Sequence, residues 1–150
     1  EIDTPHLKTL QEKFPEAVLY SRAEKNTNLS HATVLIIDAM GMLSKLYKYA
    51  TVCYIGGGFN RSGIHNILEA AVYGKPIFSA PEHSKYREAI ALKEAGAYFP
   101  VKDGKKLSNA IDATDIAAAG SIAAHYVEKN SGATAVIGDW IQENRLLTNA

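Results

Sequence analysis

His65, Asn66 and Glu69 stand directly behind a glycine-rich stretch that holds Gly56, Gly57, Gly58 and Gly63. Glycines let a backbone come close to a ligand, and a helix starting just after them aims unpaired N–H groups and a partial positive charge at it. Residues of these types in this order suit a phosphate. A glycine cluster ahead of a helix is a weak signal alone, because some such clusters are only tight turns. His65 and Glu69 share a helical face at i,i+4, a spacing compatible with a metal, yet no further ligand accompanies them. His65 reads better as a cap or a neighbour of the phosphate. Glu69 also has a plain reading, as an acid whose charge favours a helix start.

Such a turn must be held between a strand and a helix, and the flanking residues supply both. Val52 to Ile55 is a short apolar run of strand type that stops at the first three glycines. His65-Asn66 is expected to open a helix containing Ile67, Leu68, Ala70, Ala71 and Val72; Gly74 ends it and Lys75-Pro76 prevents its continuation. Ile77-Phe78-Ser79 then gives a second strand, closed by Pro81. Two buried-type strands joined by a helix make a βαβ unit, expected to cross over right-handed.

Around this unit, strands and helices alternate. Leu7, Leu10 and Phe14 recur at helical spacing, Glu16 to Tyr20 reads as a strand, and Ser21 to His31 as a polar loop. Val34 to Ile37 reads as a buried parallel-type strand, after which Asp38 caps a helix carrying Met42, Leu43, Leu46 and Tyr47. Ser84 is the expected N-cap and Gly96 the C-cap of a helix over Lys85 to Ala95. Ala97 to Val101 is a strand, Asp103-Gly104 a turn, and helices follow over Leu107 to Asp112, Asp115 to Lys129 and Ala133 to Leu147. Tyr47, Tyr49 and Tyr54 read as packing residues, Lys45 and Lys48 as a solvated helix face. The pattern calls for an α/β fold, a Rossmann-like parallel sheet flanked by helices. Ligands bind such sheets beyond the carboxyl ends of the strands, where loops 38–42, 56–66 and 80–86 would converge.

Sixteen Lys and Arg against sixteen Asp and Glu leave no net charge over 150 residues, so nucleic acid is not an expected partner. The one cysteine, Cys53, lies inside an apolar strand and cannot form an internal disulfide, which favours a reducing cytoplasm. The glycosylation triplets at Asn28 and Asn60 are then chance matches. No apolar run approaches the ~20 residues of a membrane-spanning helix, so this domain is not expected to insert directly. Ile137, Trp140, Ile141 and Leu147 of the last helix are expected to pack back on the domain or on a missing half. The chain opens on Glu1 without a methionine, as a piece of something longer would.

The central stretch resembles the C-terminal, donor-binding domain of the Kdo transferases, glycosyltransferases of the GT-B type. Their motif reads approximately GGS, four variable residues, GGHN, one variable residue, LEPA. Here it stands as Gly56-Gly57-Gly58, Phe59 to Ser62, Gly63-Ile64-His65-Asn66, Ile67, and Leu68-Glu69-Ala70-Ala71. A second family segment, close to IDTMGEL followed by a leucine–tyrosine pair, is matched by Ile37 to Leu43 and Leu46-Tyr47. The resemblance runs from about Val34 to Val101. Gly58 replaces a serine of the pattern, Ile64 a glycine, Ala70 a proline and Met42 an acid.

The resemblance implies an enzyme that moves 3-deoxy-D-manno-octulosonic acid (Kdo) from CMP-Kdo to a lipid A precursor at the cytoplasmic face of the bacterial inner membrane. Residue by residue, Asn66, Ile67, Leu68 and Glu69 match one CMP-binding segment, and Met40, Gly41 and Met42 another. Gly63 to Asn66 would offer N–H groups to the phosphate, and Glu69, one turn along the helix, would accept from ribose hydroxyls. The Met40-Gly41 backbone would bond the cytosine edge, with methionine side chains on its face, although both methionines could equally be core. Gly56, Gly57, Gly58, Arg61, Gly63 and His65 would form the phosphate and sugar loop, with Arg61 either meeting the sugar carboxylate or merely solvated. The family's catalytic glutamate and acceptor surface lie in an N-terminal domain that does not precede Glu1, so no catalytic residue, cofactor or metal is expected here. The family's proline–arginine pair falls at about the chain's start, and the first strand of the domain is not matched. The chain thus reads as a truncated donor domain, inactive alone. A GT-B enzyme using a UDP- or ADP-sugar, or a non-catalytic nucleotide-binding module, remains open as the alternative.

Overall fold

The computed structural model describes residues 4–25 and 29–144 and divides the chain into two compact units, the first ending at Leu46 and the second beginning at Tyr47. In the first unit, helix α1 (Thr4–Lys13) precedes strand β1 (Val18–Leu19), which pairs in parallel with β2 (Leu35–Ile36) through Val18–Leu35 and Leu19–Ile36. The polar stretch between them is not plain loop: Tyr20–Lys25 and Leu29–His31 wind into 3-10 turns. Strand β2 is parallel as expected but not buried, since Leu35 is 51% exposed. Asp38 does not cap the following helix α2 (Leu43–Leu46); both its carboxylate oxygens are taken by Ser21, whose N–H donates at 2.9 Å and whose hydroxyl donates at 2.6 Å.

The second unit is built on a three-stranded parallel sheet in the order β3 (Cys53–Ile55), β4 (Ile77–Ser79), β5 (Tyr98–Pro100). Its register sets Cys53, Tyr54 and Ile55 against Ile77, Phe78 and Ser79, and these against Tyr98, Phe99 and Pro100. Neighbours on one face share a strand period of two, so Phe78 and Phe99 stack with centroids 5.1 Å apart while Ile77 and Tyr98 face the other way. The strands form where apolar, β-branched and aromatic residues sit between Gly and Pro punctuation.

Helix α3 (Leu68–Ala71) links β3 to β4, and α4 (Arg87–Ala95) links β4 to β5, ending at Gly96 with φ of 90° as a left-handed cap. Ser84 is not its N-cap; Tyr86 occupies that position. Asp103-Gly104 is a helix start rather than a free turn: Asp103 accepts from the Lys106 N–H at 2.8 Å and begins α5 (Gly104–Ala113). Asp115 likewise caps α6 (Ile116–Lys129), and α7 (Ala133–Glu143) follows Gly132.

Ala70, Ala71 and Ala123 are fully buried, and small side chains let α6 approach the turn after α3 until only glycine fits. A Cβ on Gly120 would lie 2.4 Å from the carbonyl oxygen of Gly74. Two expectations fail at the surface. Tyr47 packs on the core, but Tyr49 and Tyr54 are exposed, Lys48 lying 4.6 Å from the Tyr49 ring centroid. In α7, Ile137 and Trp140 are 58% and 56% exposed and do not pack back on the unit, while Ile141 is half-buried; Leu147 lies outside the described residues.

Candidate functional site

Beyond Ile55 the chain folds back on itself before it reaches a helix. The Gly58 N–H donates to the Gly63 carbonyl at 2.7 Å, Gly63 to Asn60 at 3.3 Å, and His65 to Gly56 at 3.1 Å. Gly57 and Ile64 face each other as an antiparallel bridge, and the Asn60 side chain accepts from the Ser62 N–H at 3.0 Å. The glycine stretch is therefore a small hairpin. Gly57 and Gly58 both have φ of +83°; a Cβ would fall 2.5 Å from the Gly63 oxygen at the first and 2.7 Å from Ile64 Cγ2 at the second. No serine fits at Gly58 without moving Ile64. The expected offer of N–H groups by Gly63 and His65 is corrected, because both are bonded within the hairpin. Those of Asn66 and Ile67 have no partner among the described residues.

The helix after the hairpin is a single turn that starts at Leu68, not at His65. The cause is Asn66. Its side-chain oxygen accepts from the Leu68 N–H at 3.0 Å, and its amide donates to Glu69 Oε1 at 3.3 Å. An Asn side chain that satisfies the first helical N–H stands in for one acceptor of a preceding turn. Glu69 consequently sits in the first turn rather than one turn deeper. A helix this short sums few peptide dipoles, so charge for an anion must come from individual N–H groups and nearby cations. Glu69 is half-buried beside Tyr47, whose hydroxyl pKa is pushed up first by burial and then by the Glu69 charge. His65 and Arg61 are exposed, and Ile67 is buried in the core.

Loops 56–66 and 80–86 do converge. The Glu82 N–H donates to the Gly58 carbonyl at 3.0 Å, Lys85 Nζ to the Arg61 carbonyl at 2.7 Å, and the Tyr86 hydroxyl to the Ser62 carbonyl at 3.2 Å. Ser84 is turned to Glu82, donating from its hydroxyl at 2.6 Å, and this bond holds the Glu82 carboxyl below its usual range. Beneath the loop, the Tyr98 and Ser79 hydroxyls share a buried hydrogen bond of 2.5 Å, Ser79 donates to the Ala80 carbonyl at 2.8 Å, and His83 meets the Tyr98 ring edge-on. Lys85 and Tyr86 carried no motif in the sequence.

Met40, Gly41 and Met42 belong to the first unit, where Met40 and Gly41 line an apolar hollow with Ile37, Ala39, Leu43 and Leu46. Met40 is 85% exposed and is therefore not core. The two bonds from Ser21 that anchor this loop through Asp38 also lower the Asp38 carboxyl pKa. An open apolar hollow edged by a flexible thioether can take the face of a flat ring. Among the described residues, no three His, Cys, Asp or Glu side chains gather as metal ligands would, and no helix is long and apolar enough to cross a membrane.

No protein-family model matches the chain. It is 30% identical over 92 residues to the 3-deoxy-D-manno-octulosonic acid transferase of Rickettsia prowazekii, a match covering 61% of this chain and 20% of that protein. With the transferase of the same name from Aquifex aeolicus it shares 33% identity over 75 residues, covering 49% of the chain and 21% of the relative. A bifunctional glycosyltransferase/methyltransferase of Fusobacterium nucleatum is 29% identical over 131 residues, covering 87% of the chain and 18% of that protein. The chain thus spans about a fifth of the length of these relatives. Among solved structures, the C-terminal CMP-Kdo binding domain of WaaA from Acinetobacter baumannii superposes with a TM-score of 0.59 at 22% identity, over 76% of this chain and 61% of that one. The chain is thus similar in sequence to 3-deoxy-D-manno-octulosonic acid transferases over part of its length, and its α/β fold is like that of the C-terminal CMP-Kdo binding domain of WaaA.

Proposed function

We propose that this chain is the donor-binding part of a Kdo transferase and takes up CMP-Kdo. The observation that carries the reading is the hydrogen-bonded turn Asn66–Glu69 set directly behind the glycine hairpin, in a relative of enzymes of that name. Glu69 accepts from the ribose hydroxyls, the N–H groups of Asn66 and Ile67 meet the phosphate, and Arg61 and His65 supply positive charge or hydrogen bonds at the hairpin. Met40, Gly41 and Met42 hold the cytosine. The catalytic base and the lipid A precursor site belong to an N-terminal domain outside residues 1–150, and the complete enzyme works at the cytoplasmic face of the inner membrane.

Thermal-shift and calorimetric titration with CMP, UMP, UDP and ADP test the reading. Stabilisation by CMP in preference to the other three supports it. Preference for UDP or ADP would assign the chain to a glycosyltransferase with a different donor, and no response to any nucleotide would overturn the donor site.

A further inference from the structure

We propose that Lys85 and Tyr86 are positioning residues that hold the tip of the glycine hairpin in place, Lys85 from its side-chain nitrogen and Tyr86 through both ring and hydroxyl. The hairpin is rich in glycine, whose ordering costs more backbone entropy than that of any other residue. Its internal bonds join residues 56–65 to one another and fix nothing about where its tip lies. The β4–α4 loop supplies that. Lys85 Nζ bonds the carbonyl of Arg61 at 2.7 Å and Tyr86 bonds that of Ser62 at 3.2 Å. A Cβ on Gly63 would lie 2.7 Å from Tyr86 Cε2, so the ring closes over the hairpin at a point where only glycine leaves room.

Tyr86 is itself well held. It occupies the N-cap position of α4, its carbonyl accepts from Ala89 and Ile90 at 3.1 Å each, its N–H donates to the His83 carbonyl at 3.1 Å, and its ring packs against the core. The position of α4 is thereby passed to the hairpin tip, where Arg61 stands. The Lys85 ammonium donates to a main-chain carbonyl of the hairpin, and its charge also helps lower the Glu82 carboxyl pKa. The ligand part of this inference rests on the donor-site reading; the hairpin part does not.

The test is amide hydrogen exchange on the whole chain together with CMP titration, using Tyr86→Leu, Tyr86→Phe and Lys85→Met. In Tyr86→Leu, exchange at Gly58, Gly63 and His65 should rise at least tenfold, while Ile77 and Leu92 in the core stay as in wild type. Lys85→Met should give a smaller rise at the same amides, and Tyr86→Phe, which keeps the ring, should restore most of the protection. CMP affinity should fall roughly tenfold in Tyr86→Leu, as the loss of about one such interaction predicts, and recover in Tyr86→Phe. Unchanged hairpin exchange, or a rise shared equally by Ile77 and Leu92, would overturn the proposal. Equal CMP affinity in wild type and Tyr86→Leu would overturn its ligand part. A wild type that binds no CMP would sink the donor site and leave the exchange result to decide the clasp.

Discussion

Asn66 and Glu69 are joined side chain to side chain, amide to carboxylate, at 3.3 Å, while the same asparagine accepts the Leu68 N–H at 3.0 Å. One carboxylate oxygen of Glu69 is thus oriented before any ligand arrives. Orienting an acceptor in advance removes part of the ordering cost of binding. If that acceptor reads the ribose, Glu69→Ala weakens CMP binding roughly ten- to a hundred-fold, because hydrogen bonds to a charged group contribute about 1.5–3 kcal/mol. The fold survives the change, since an acid in a helix's first turn adds only about 0.3–1 kcal/mol. Calorimetry with CMP and dCMP on both proteins checks it: wild type prefers CMP and the variant does not. A variant that keeps the preference would leave Glu69 as a helix-start acid.

Gly120 and Gly138 give a contrast in stability. Alanine at Gly120 drives a Cβ to 2.4 Å from the Gly74 oxygen, a backbone atom that cannot swing aside. Overpacking costs about 1–3 kcal/mol and exceeds the ~1 kcal/mol that alanine returns in helix propensity. Thermal melting of Gly120→Ala should therefore fall by a few degrees. Gly138→Ala in α7 meets nothing within 4 Å and should hold or raise the melting temperature. Equal effects at the two sites would show that α6 relaxes away from the turn.

Alkaline pH should expose the buried hydroxyl of Tyr98. Its pKa is raised by burial above the ordinary 10.0, partly offset by the bond to Ser79. A raised acid stabilises the folded state fully below the unfolded value, and that contribution is lost as pH rises through the folded one. Denaturant unfolding at a series of pH values should show stability falling above pH ~10, less steeply in Tyr98→Phe. The slope does not vanish in the variant, because the Cys53 thiol is raised by burial too. At neutral pH, losing the hydroxyl costs about 1 kcal/mol. An identical alkaline slope in the two proteins would contradict the assignment.

Sugar transfer by this chain alone is not expected, since the proposed reading puts the base and the acceptor surface elsewhere. Incubation with CMP-Kdo and a lipid A precursor should leave both unchanged. Measurable product would move a catalytic carboxylate into residues 1–150.

The strands of the second unit were legible in the sequence because each is an apolar run stopped by Gly or Pro, and Gly96 announced the end of α4. The hairpin was not, because the Gly57–Ile64 bridge is made of backbone atoms and leaves no side-chain signature. The start of α3 was misplaced for a related reason: Ile67 and Leu68 continue the apolar run, whereas the boundary is set by one side-chain oxygen on Asn66. Tyr86 gave no signal of its own. Its partner is a glycine, and nothing in a glycine's identity says what fills the space beside it. The apolar stripe of α7 is legible as periodicity, which shows that a face is apolar but not what covers it.

Trp140 is the single tryptophan in the chain and stands 56% exposed on that stripe. Indole fluorescence is therefore a poor reporter of this protein's core. Its emission in the folded state should already sit toward the red, as for a wet indole, and shift little in denaturant. Circular dichroism in the aromatic region, fed by Tyr98 and the stacked Phe78 and Phe99, is the optical signal that should collapse when the sheet comes apart.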